Sequence, residues 1–147
     1  MIELDIENRT VLNLKTVVTD SNIRFDHILN VNVDSGQEDS SIGTIIVHVN
    51  PRSYETPMVP ECTLECEVVL VMRADGDPDG SMYVDTVDKL LSKMERWQKC
   101  LDDTHEDFTV AGFNVTGFRL GDGQTLISAT DKTRMYRHSF QLYGIVE

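Results

Sequence analysis

The chain of 147 residues carries 25 acidic and 13 basic side chains, for a formal net charge of −12, and 40% of its residues are hydrophobic. This length fits one domain, residues 1–147, and the composition excludes collagen-like, low-complexity and disulfide-scaffold proteins. The negative charge argues against a free-standing nucleic-acid binder, because phosphate is repelled. The longest apolar run, residues 68–72, is too short for a signal peptide or membrane span, and an odd number of cysteines fits a reducing compartment such as cytoplasm.

The first third of the chain predicts one short helix and one short strand. Apolar residues between positions 8 and 19 recur at spacings that fit a helix face: Val11, Leu12, Leu14, Val17 and Val18. The apolar residues between positions 23 and 33 follow neither a helical nor a strand period throughout. This predicts an irregular segment that leads into a short strand. Residues 34–42 are polar and acidic, as expected of a loop.

Two strands are predicted next, over residues 43–49 and 62–73. Both alternate, and the second has an even-numbered apolar face that runs from Cys62 to Met72. Its other face is polar at first and apolar from Val69, so we expect it to enter a region that is covered on both sides. Its length predicts that part of it projects beyond the sheet.

The connection between these strands, residues 50–61, holds three of the four prolines. Prolines keep a chain extended and should block ladder pairing within the segment. Tyr54, Met58 and Val59 could make this extended loop an arm that docks on a neighbouring subunit. An ordinary long hairpin loop is the alternative.

The strongest helix pattern covers residues 82–101, with Ser81 as the predicted N-cap. Strands are then predicted over Phe108–Leu120, Gln124–Ala129 and 133–146, joined by hairpin turns at 121–123 and 130–132. The predicted fold class is α+β, with a mostly antiparallel sheet packed against one long amphipathic helix, plus the short N-terminal helix.

One loop resembles a calcium site. Asp75, Asp77 and Asp79 with Gly80 match the first six positions of a D-x-D-x-D-G loop, whose alternate carboxylates suit a hard cation. Position 12 is Thr86 where glutamate is needed, and a strand precedes the loop. We therefore expect a solvated loop, and calcium binding remains the alternative.

Other chemistry-bearing residues predict structural roles. Cys62 and Cys66 stand about 13 Å apart along one strand, too far to chelate one zinc ion, and are expected to be buried. His138 lies on an apolar strand face and is expected to be a hydrogen-bonded core or interface histidine. Because the sequence has neither a phosphate loop nor a nucleophile elbow, it predicts no enzyme and no cofactor.

Basic residues cluster on the long helix and near the C-terminal end, whereas the acids are spread over the rest of the chain. Solvated surfaces explain most such patterns. The alternative is head-to-tail assembly, in which a basic face of one subunit meets an acidic face of the next and the contacts close a ring.

Residues 64–73, the helix that follows, and the last strand with its Arg-Met-Tyr-Arg-His-Ser-Phe-Gln-Leu-Tyr-Gly pattern resemble the tail terminator (tail completion) proteins of long-tailed bacteriophages. The similar part runs from about Thr44 to Val146. The resemblance implies a structural virion protein, assembled in the host cytoplasm, that forms a homohexameric ring. Such a ring caps the tail tube, stops its polymerisation and joins it to the head or neck.

This resemblance implies particular partners: further copies of the chain, the tail tube protein and a head-completion or neck protein, without a membrane. DNA would pass through an acidic lumen without specific binding. The predicted interface residues are Tyr54, Met58, Val59, Glu65, Glu67, Arg134 and Arg137. Two alternatives stay open: a calcium-binding or adaptor module that uses the loop from Asp75 to Asp79, and another neck or connector ring protein.

Overall fold

The computed structural model describes residues 1–27, 29, 41–56 and 58–147. Its helices are α1 (Ile2–Lys15), α2 (Ser81–Lys99) and α3 (Leu101–Asp107), and a short 3-10 turn covers Ala74–Gly76. Its strands are β1 (Ile23–His27), β2 (Gly43–Val49), β3 (Ser53–Tyr54), β4 (Glu61–Arg73), β5 (Phe113–Ser128) and β6 (Thr133–Val146).

The strands form one sheet with the order β1-β2-β4-β6-β5, and β3 pairs with β4 on the same side as β2. Among the strands of the described residues, β1 pairs with β2 in parallel and the other pairings are antiparallel. The predicted α+β class with a mostly antiparallel sheet is therefore confirmed. The fold differs in one respect: β4 is paired with β6 along its whole length, so no part of it projects beyond the sheet.

All three helices cover the same face of the sheet. Helix α1 packs on β1 and β2, whereas α2 and α3 pack on β5. The covered face of β4 presents residues 62 to 72 at even positions, and each is buried. Trp97 of α2 is at the centre, with ring centroids 4.7 Å from Phe108 and 5.8 Å from Phe140. One hydrophobic core thus lies between the helices and this face.

Helix α1 begins at Ile2, six residues before the predicted start. Ile2 and Ile6 face the core, although acidic residues interrupt the apolar pattern around them. Glu3 and Glu7 are also buried, because backbone N–H groups of the loop and strand residues around them donate to their carboxylates. The prediction missed this turn because it treated acidic side chains as solvent-facing.

The other N-terminal predictions are tested only in part. Strand β1 confirms a short strand within residues 23–33, but residue 28 and residues 30–33 lie outside the described residues. The predicted acidic loop 34–42 also lies outside them, apart from Ser41 and Ile42. Ile42 packs against the core.

The prediction that residues 50–61 make no ladder pairs is wrong, and the segment is not extended throughout, since the Val59 N–H donates to the carbonyl oxygen of Thr56 over 3.3 Å. Ser53 and Tyr54 pair with Thr63 and Cys62 of β4, and so continue the edge begun by β2. The prolines at positions 51 and 60 flank this short strand without occupying it. Proline prevents donation only at its own nitrogen, so the residues between can still pair.

The predicted helix 82–101 is two helices. Helix α2 ends at Lys99, Cys100 is extended with φ −132° and ψ 101°, and α3 follows. The predicted N-cap is displaced by one residue: Gly80 occupies this position, and Ser81 is the first helical residue. The acidic turn α3 was not predicted, because its pattern has almost no apolar face; among its residues only Thr104 is buried.

The predicted hairpin turn at Gly121-Asp122-Gly123 is a bulge inside one long strand. The register of β5 on β6 shifts between Leu120 and Gly123. Neither glycine has the positive φ that a two-residue hairpin turn requires. A Cβ at Gly121 would lie 2.9 Å from the carbonyl oxygen of Ser139, so glycine is needed there for close strand approach. The strand also begins at Phe113 and not at Phe108, which packs in the core directly after α3.

Candidate interaction surface

The face of the sheet opposite the helices is open: no described helix packs against it. On β4 this open face carries Glu65 and Glu67, followed by Val69 and Val71. Both valines are half-buried, so the prediction that this end of the strand is covered on both sides is wrong for the described part of the chain. The reason is that the helices all lie on the other face.

The polar half of the open face contains three of the predicted interface residues. Arg137 Nε lies 3.2 Å from Glu67 Oε1, and Gln141 donates to Glu65 over 3.2 Å. The two glutamates and Gln141 line a groove of about 470 Å³, whose lining also includes Arg119 and Asp122. Glu65, Glu67 and Arg137 therefore share one surface, on neighbouring strands β4 and β6.

The other half of the open face is an apolar patch, none of whose residues was among the predicted interface residues. Val69 lies between Ile46 and Arg137 in the cross-strand register, and Val71 is paired with Met135, which is paired with Leu126. We call the residues Ile46, Val69, Val71, Met135 and Leu126 the open-face patch. Leu126 is 45% exposed, and the other four are half-buried. In the sequence, this patch could have been recognised from the odd-numbered valines of β4, which are apolar where the open face is otherwise polar.

Tyr54, Met58 and Val59 form a separate surface at the opposite end of the sheet. Met58 is 91% exposed and Val59 is 43% exposed. With Pro60 and Val146 they line a shallow groove of about 450 Å³. The structure thus brings these three together but places them apart from Glu65, Glu67 and Arg137. Whether this loop is an arm that docks on a neighbour stays a prediction.

Arg134, the last predicted interface residue, is directed into its own chain. Its guanidinium donates to the carbonyl oxygens of Asp77, over 2.6 Å, and Pro78, over 3.2 Å. It lies on the covered face, with the alternate residues Tyr136 and His138. Arg134 therefore anchors the loop before α2 and is not part of the open face.

The three aspartates of the calcium-like loop have separate partners. Asp77 is buried, and its carboxylate accepts the N–H groups of Met82 and Tyr83 over 3.0 and 2.8 Å. Backbone and hydroxyl hydrogen bonds from Ser81 lower the pKa of Asp79, and Asp75 is 3.6 Å from Arg73. Among the described residues, no three His, Cys, Asp or Glu side chains are placed to hold a metal ion. We expected this loop to be exposed to solvent, and for Asp77 this was wrong. Its buried carboxylate stabilises the start of α2.

The basic residues of α2 are mostly neutralised within the chain. Lys93 Nζ lies 3.1 Å from Asp107, Arg96 pairs with Asp103, and Lys89 pairs with Asp85 over 2.9 Å. Asp103 and Asp107 belong to α3, the helix that the sequence pattern missed. These ion pairs weaken the idea that the α2 cations meet an acidic face of another subunit.

His138 is a buried, hydrogen-bonded core histidine, as predicted. Its Nδ1 contacts the Tyr136 hydroxyl at 2.5 Å, and Nε2 contacts the carbonyl oxygen of Gly121 at 2.8 Å. Since a carbonyl oxygen can only accept, Nε2 carries a proton and donates to Gly121; in the neutral ring Nδ1 then accepts from the Tyr136 hydroxyl. Burial, with the nearby Tyr83 and Glu95, raises the pKa of Tyr136. This pair fixes the bulge of β5 onto β6.

The cysteines are free, and Cys62 and Cys66 are buried as predicted. Burial raises the pKa of both thiols, so neither is an activated nucleophile. No helix in the described ranges is long and apolar enough to cross a membrane.

Comparison with known proteins identifies a fold but no family. No family model matches the sequence, and no curated protein matches it. A chain in the virion of a native gene transfer agent particle has a similar structure, with a TM-score of 0.51 at 9% sequence identity. The match covers 95% of this chain and 94% of that chain.

A crystal structure of a protein from Akkermansia muciniphila is more distant, with a TM-score of 0.42 at 12% identity, over 99% of this chain and 77% of that one. This likeness is too weak to carry an argument. What the comparisons show is that this chain has the fold of a chain found in a virion particle.

Proposed function

We propose that the protein is a structural virion component that assembles into a ring, in the manner of a phage tail terminator. The observation that carries this proposal is the structural match to a virion chain along nearly the whole of both chains. In the proposed role, a homohexamer caps the tail tube, stops its polymerisation and joins it to the head or neck. The tail tube protein and a head-completion or neck protein are its partners.

The open face supports assembly. An antiparallel sheet with one solvent-exposed face normally alternates apolar and polar residues, with the polar ones outward. Here the outward residues Val69, Val71 and Met135 are apolar neighbours. A contiguous exposed apolar patch rimmed by polar side chains is typical of a protein contact surface. The polar rim holds Glu67 and Arg137, which would give such a contact its charge pattern.

The acidic balance of the chain suits a lumen through which DNA slides. A net charge of −12 on each copy makes a ring strongly negative, so phosphate would not bind to its wall. Glu65 is the candidate lumen residue. Its side chain is exposed on the open face, whereas Glu67 is paired with Arg137 at the rim of the proposed contact.

Electron microscopy and light scattering of the purified chain test this proposal. A hexamer has a mass of about 100 kDa, six times 16.6 kDa, and should be visible as rings, alone or with the tube protein. A strictly monomeric particle at high concentration and with tube protein present would contradict the proposal.

A charge in the open-face patch should abolish the rings. Val71→Lys places an ammonium group among apolar neighbours that the contact would bury, which is costly when it is unpaired. Val84→Lys is the matched control, since Val84 is 64% exposed on α2, away from the open face. Circular dichroism spectra of both variants should match the wild type. Rings that survive Val71→Lys would show that the patch is not the ring contact.

A further inference from the structure

The open-face patch lies between two arginines on the same side of the sheet. Arg73 is the last residue of β4, and Arg137 of β6 is paired with Val69. Their Nε atoms lie 3.6 Å from Asp75 and 3.2 Å from Glu67, and both arginine side chains are 50% exposed. Because a guanidinium has five N–H donors, one carboxylate leaves donors for a second acid. The patch is thus an apolar surface with a half-exposed cation at each end.

A second exposed segment carries the opposite charges around an apolar centre. It consists of the described residues between positions 55 and 61, which join β3 to β4 and are called the arm here. Glu55 and Glu61 are its two ends, and Met58 and Val59 lie between them. All four side chains are exposed. An apolar centre between two carboxylates is complementary in charge to the patch between two arginines.

The spacing of the charges also agrees. Arg73 is paired with Thr133, four residues before Arg137 on β6. At about 3.3 Å per residue and about 4.8 Å between strands, the Cα atoms of the two arginines are about 14 Å apart. The arm spans about 20 Å at most when fully extended. A hydrogen bond from the Val59 N–H to the carbonyl oxygen of Thr56 shortens it. The two arm carboxylates can therefore face both guanidiniums at once.

We propose that the arm of one copy docks on the open-face patch of the next copy. In this contact Met58 and Val59 pack on the valines of the patch, and the two arm carboxylates bind Arg73 and Arg137. The fork of guanidinium donors suits a carboxylate, and arginine is enriched at protein interfaces. The inference rests on the proposed function and adds to it the two surfaces through which copies in the ring meet.

The arm cannot reach the patch of its own chain. Glu61 and Val71 are ten residues apart on β4, which corresponds to about 33 Å along a strand. Met58 is three residues before Glu61, which gives it a reach of about 10 Å from that end. An arm that fills this patch must therefore come from another copy.

The arm and the patch are different surfaces, so each copy offers one of each. A head-to-tail contact of this kind can close into a ring. A patch that met the same patch of a second copy would instead give a two-fold dimer, which cannot by itself build a ring of six. The arm therefore supplies the second surface that the proposed ring requires.

A pair of cysteines tests the contact directly. Met58→Cys and Val71→Cys are combined in one chain with Cys100→Ser, since Cys100 is the free cysteine that is not fully buried. Under mild oxidation we expect a ladder of covalent species at multiples of 16.6 kDa on a non-reducing gel. Docking raises the local concentration of the two thiols, so the ladder should form about tenfold faster than by random collision.

Met58→Cys with Val84→Cys in the same background is the matched control, because Val84 is 64% exposed on α2, away from the open face. It should form the ladder about tenfold more slowly. Equal rates for the two double variants would overturn the contact.

Mixing two defective copies gives a second test, by light scattering. Met58→Lys keeps its patch and Val71→Lys keeps its arm, so neither should assemble alone. An equimolar mixture retains one intact arm and one intact patch, and should form a heterodimer of twice 16.6 kDa and nothing larger. A mixture that stays monomeric would overturn the contact.

Charge reversal at the rim gives a third measurement, by sedimentation. Arg73→Glu should weaken self-association about tenfold at low salt, because a carboxylate would then face an acid of the arm. Arg119→Glu makes the same change in net charge on β5, at an exposed position outside the patch, and should leave self-association unchanged. Equal effects of the two variants would contradict the contact.

The outcomes separate this inference from the proposed function. Wild-type rings without the rapid ladder would overturn the arm contact alone and would leave the ring standing, with another surface or the tube protein on the patch. The rapid ladder and the heterodimer without rings would support the arm contact and would contradict the proposed function, because the copies would then form open chains.

Discussion

The two faces of the sheet are built from the same strands but have different environments. On β4, Leu70 and Met72 point into the covered face and have no exposed surface, whereas Val69 and Val71 point to the open face and are half-buried. The side chains are chemically alike, so the difference lies in what covers them. Strand alternation divides residues between two faces, but it does not say which face receives the helices. Apolar residues on the face without helices are therefore the part of the surface on which the proposed contact with another molecule rests.

The largest expected difference between the faces is in stability. Trp97→Ala should lower the free energy of unfolding by about 3–5 kcal/mol, because it empties the centre of the core beside Phe108 and Phe140. Val71→Ala removes apolar area that is only half-buried in the single chain, and should cost about 1 kcal/mol. Urea unfolding of dilute protein measures both. Similar losses would mean that the open face is packed as tightly as the covered one.

The loop before α2 offers a second comparison, between buried and exposed carboxylates. Asp77→Ala leaves the N–H groups of Met82 and Tyr83 without their acceptor and removes a carboxylate from beside Arg134. The expected loss is about 2–3 kcal/mol in the free energy of unfolding.

Asp75→Ala is the control in the same loop. Its side chain is 70% exposed, and the expected change is within about 0.5 kcal/mol. Millimolar calcium should leave the melting temperature of the wild type unchanged, because the Asp77 carboxylate already has two N–H partners. A rise in melting temperature that Asp77→Ala abolishes would instead support the calcium-binding alternative.

The smallest expected effect concerns pH and the attachment of α1 to the covered face. Burial disfavours the charged form of Glu3, but hydrogen bonds and the positive charge from Arg52 outweigh it and hold the pKa of the Glu3 carboxyl below its ordinary value. A lowered pKa contributes stability that is present above the unfolded-state pKa and is lost as the pH falls through the folded-state pKa. Glu3→Gln should therefore lose less stability than the wild type between neutral pH and about pH 3.

Glu55→Gln is the control for this measurement, since Glu55 is exposed in the same region of the chain. Its acid-dependent loss of stability should equal that of the wild type. If Glu3→Gln keeps the full wild-type pH dependence, the ion pair with Arg52 does not couple α1 to the loop.

The sequence correctly predicted those elements in which a single periodicity of apolar residues dominates, either strand alternation or helical spacing. β2, β4 and most of α2 follow from alternation or helical spacing, and His138 was correctly expected in the core, because each pattern concerns neighbours along the chain. Predictions failed where a residue has an unusual partner far away. Glu3 and Glu7 are buried through contacts with residues more than 20 positions distant, so the first turn of α1 looked too polar to be a helix facing the core.

The interface prediction illustrates the same limit. Glu65, Glu67 and Arg137 lie close together because of the register of β4 with β6, which no pattern along the chain reveals. Arg134 seemed equivalent to Arg137, three residues away, but the two point to opposite faces and have different partners. The glycines at 121 and 123 suggested a turn, and only their close approach to Ser139 and Tyr136 shows why a bulge needs them.

The sequence by itself determined the α+β class, the order of the main elements, the acidic charge and the alternation that gives each strand two distinct sides. The tertiary structure alone decided which side the helices cover, which strands form the edges of the sheet, and that Lys93 and Arg96 of α2 are paired with acids of α3. The physical reason is that periodicity records the local geometry of one segment, whereas cover, register and ion pairing depend on segments brought together from distant parts of the chain.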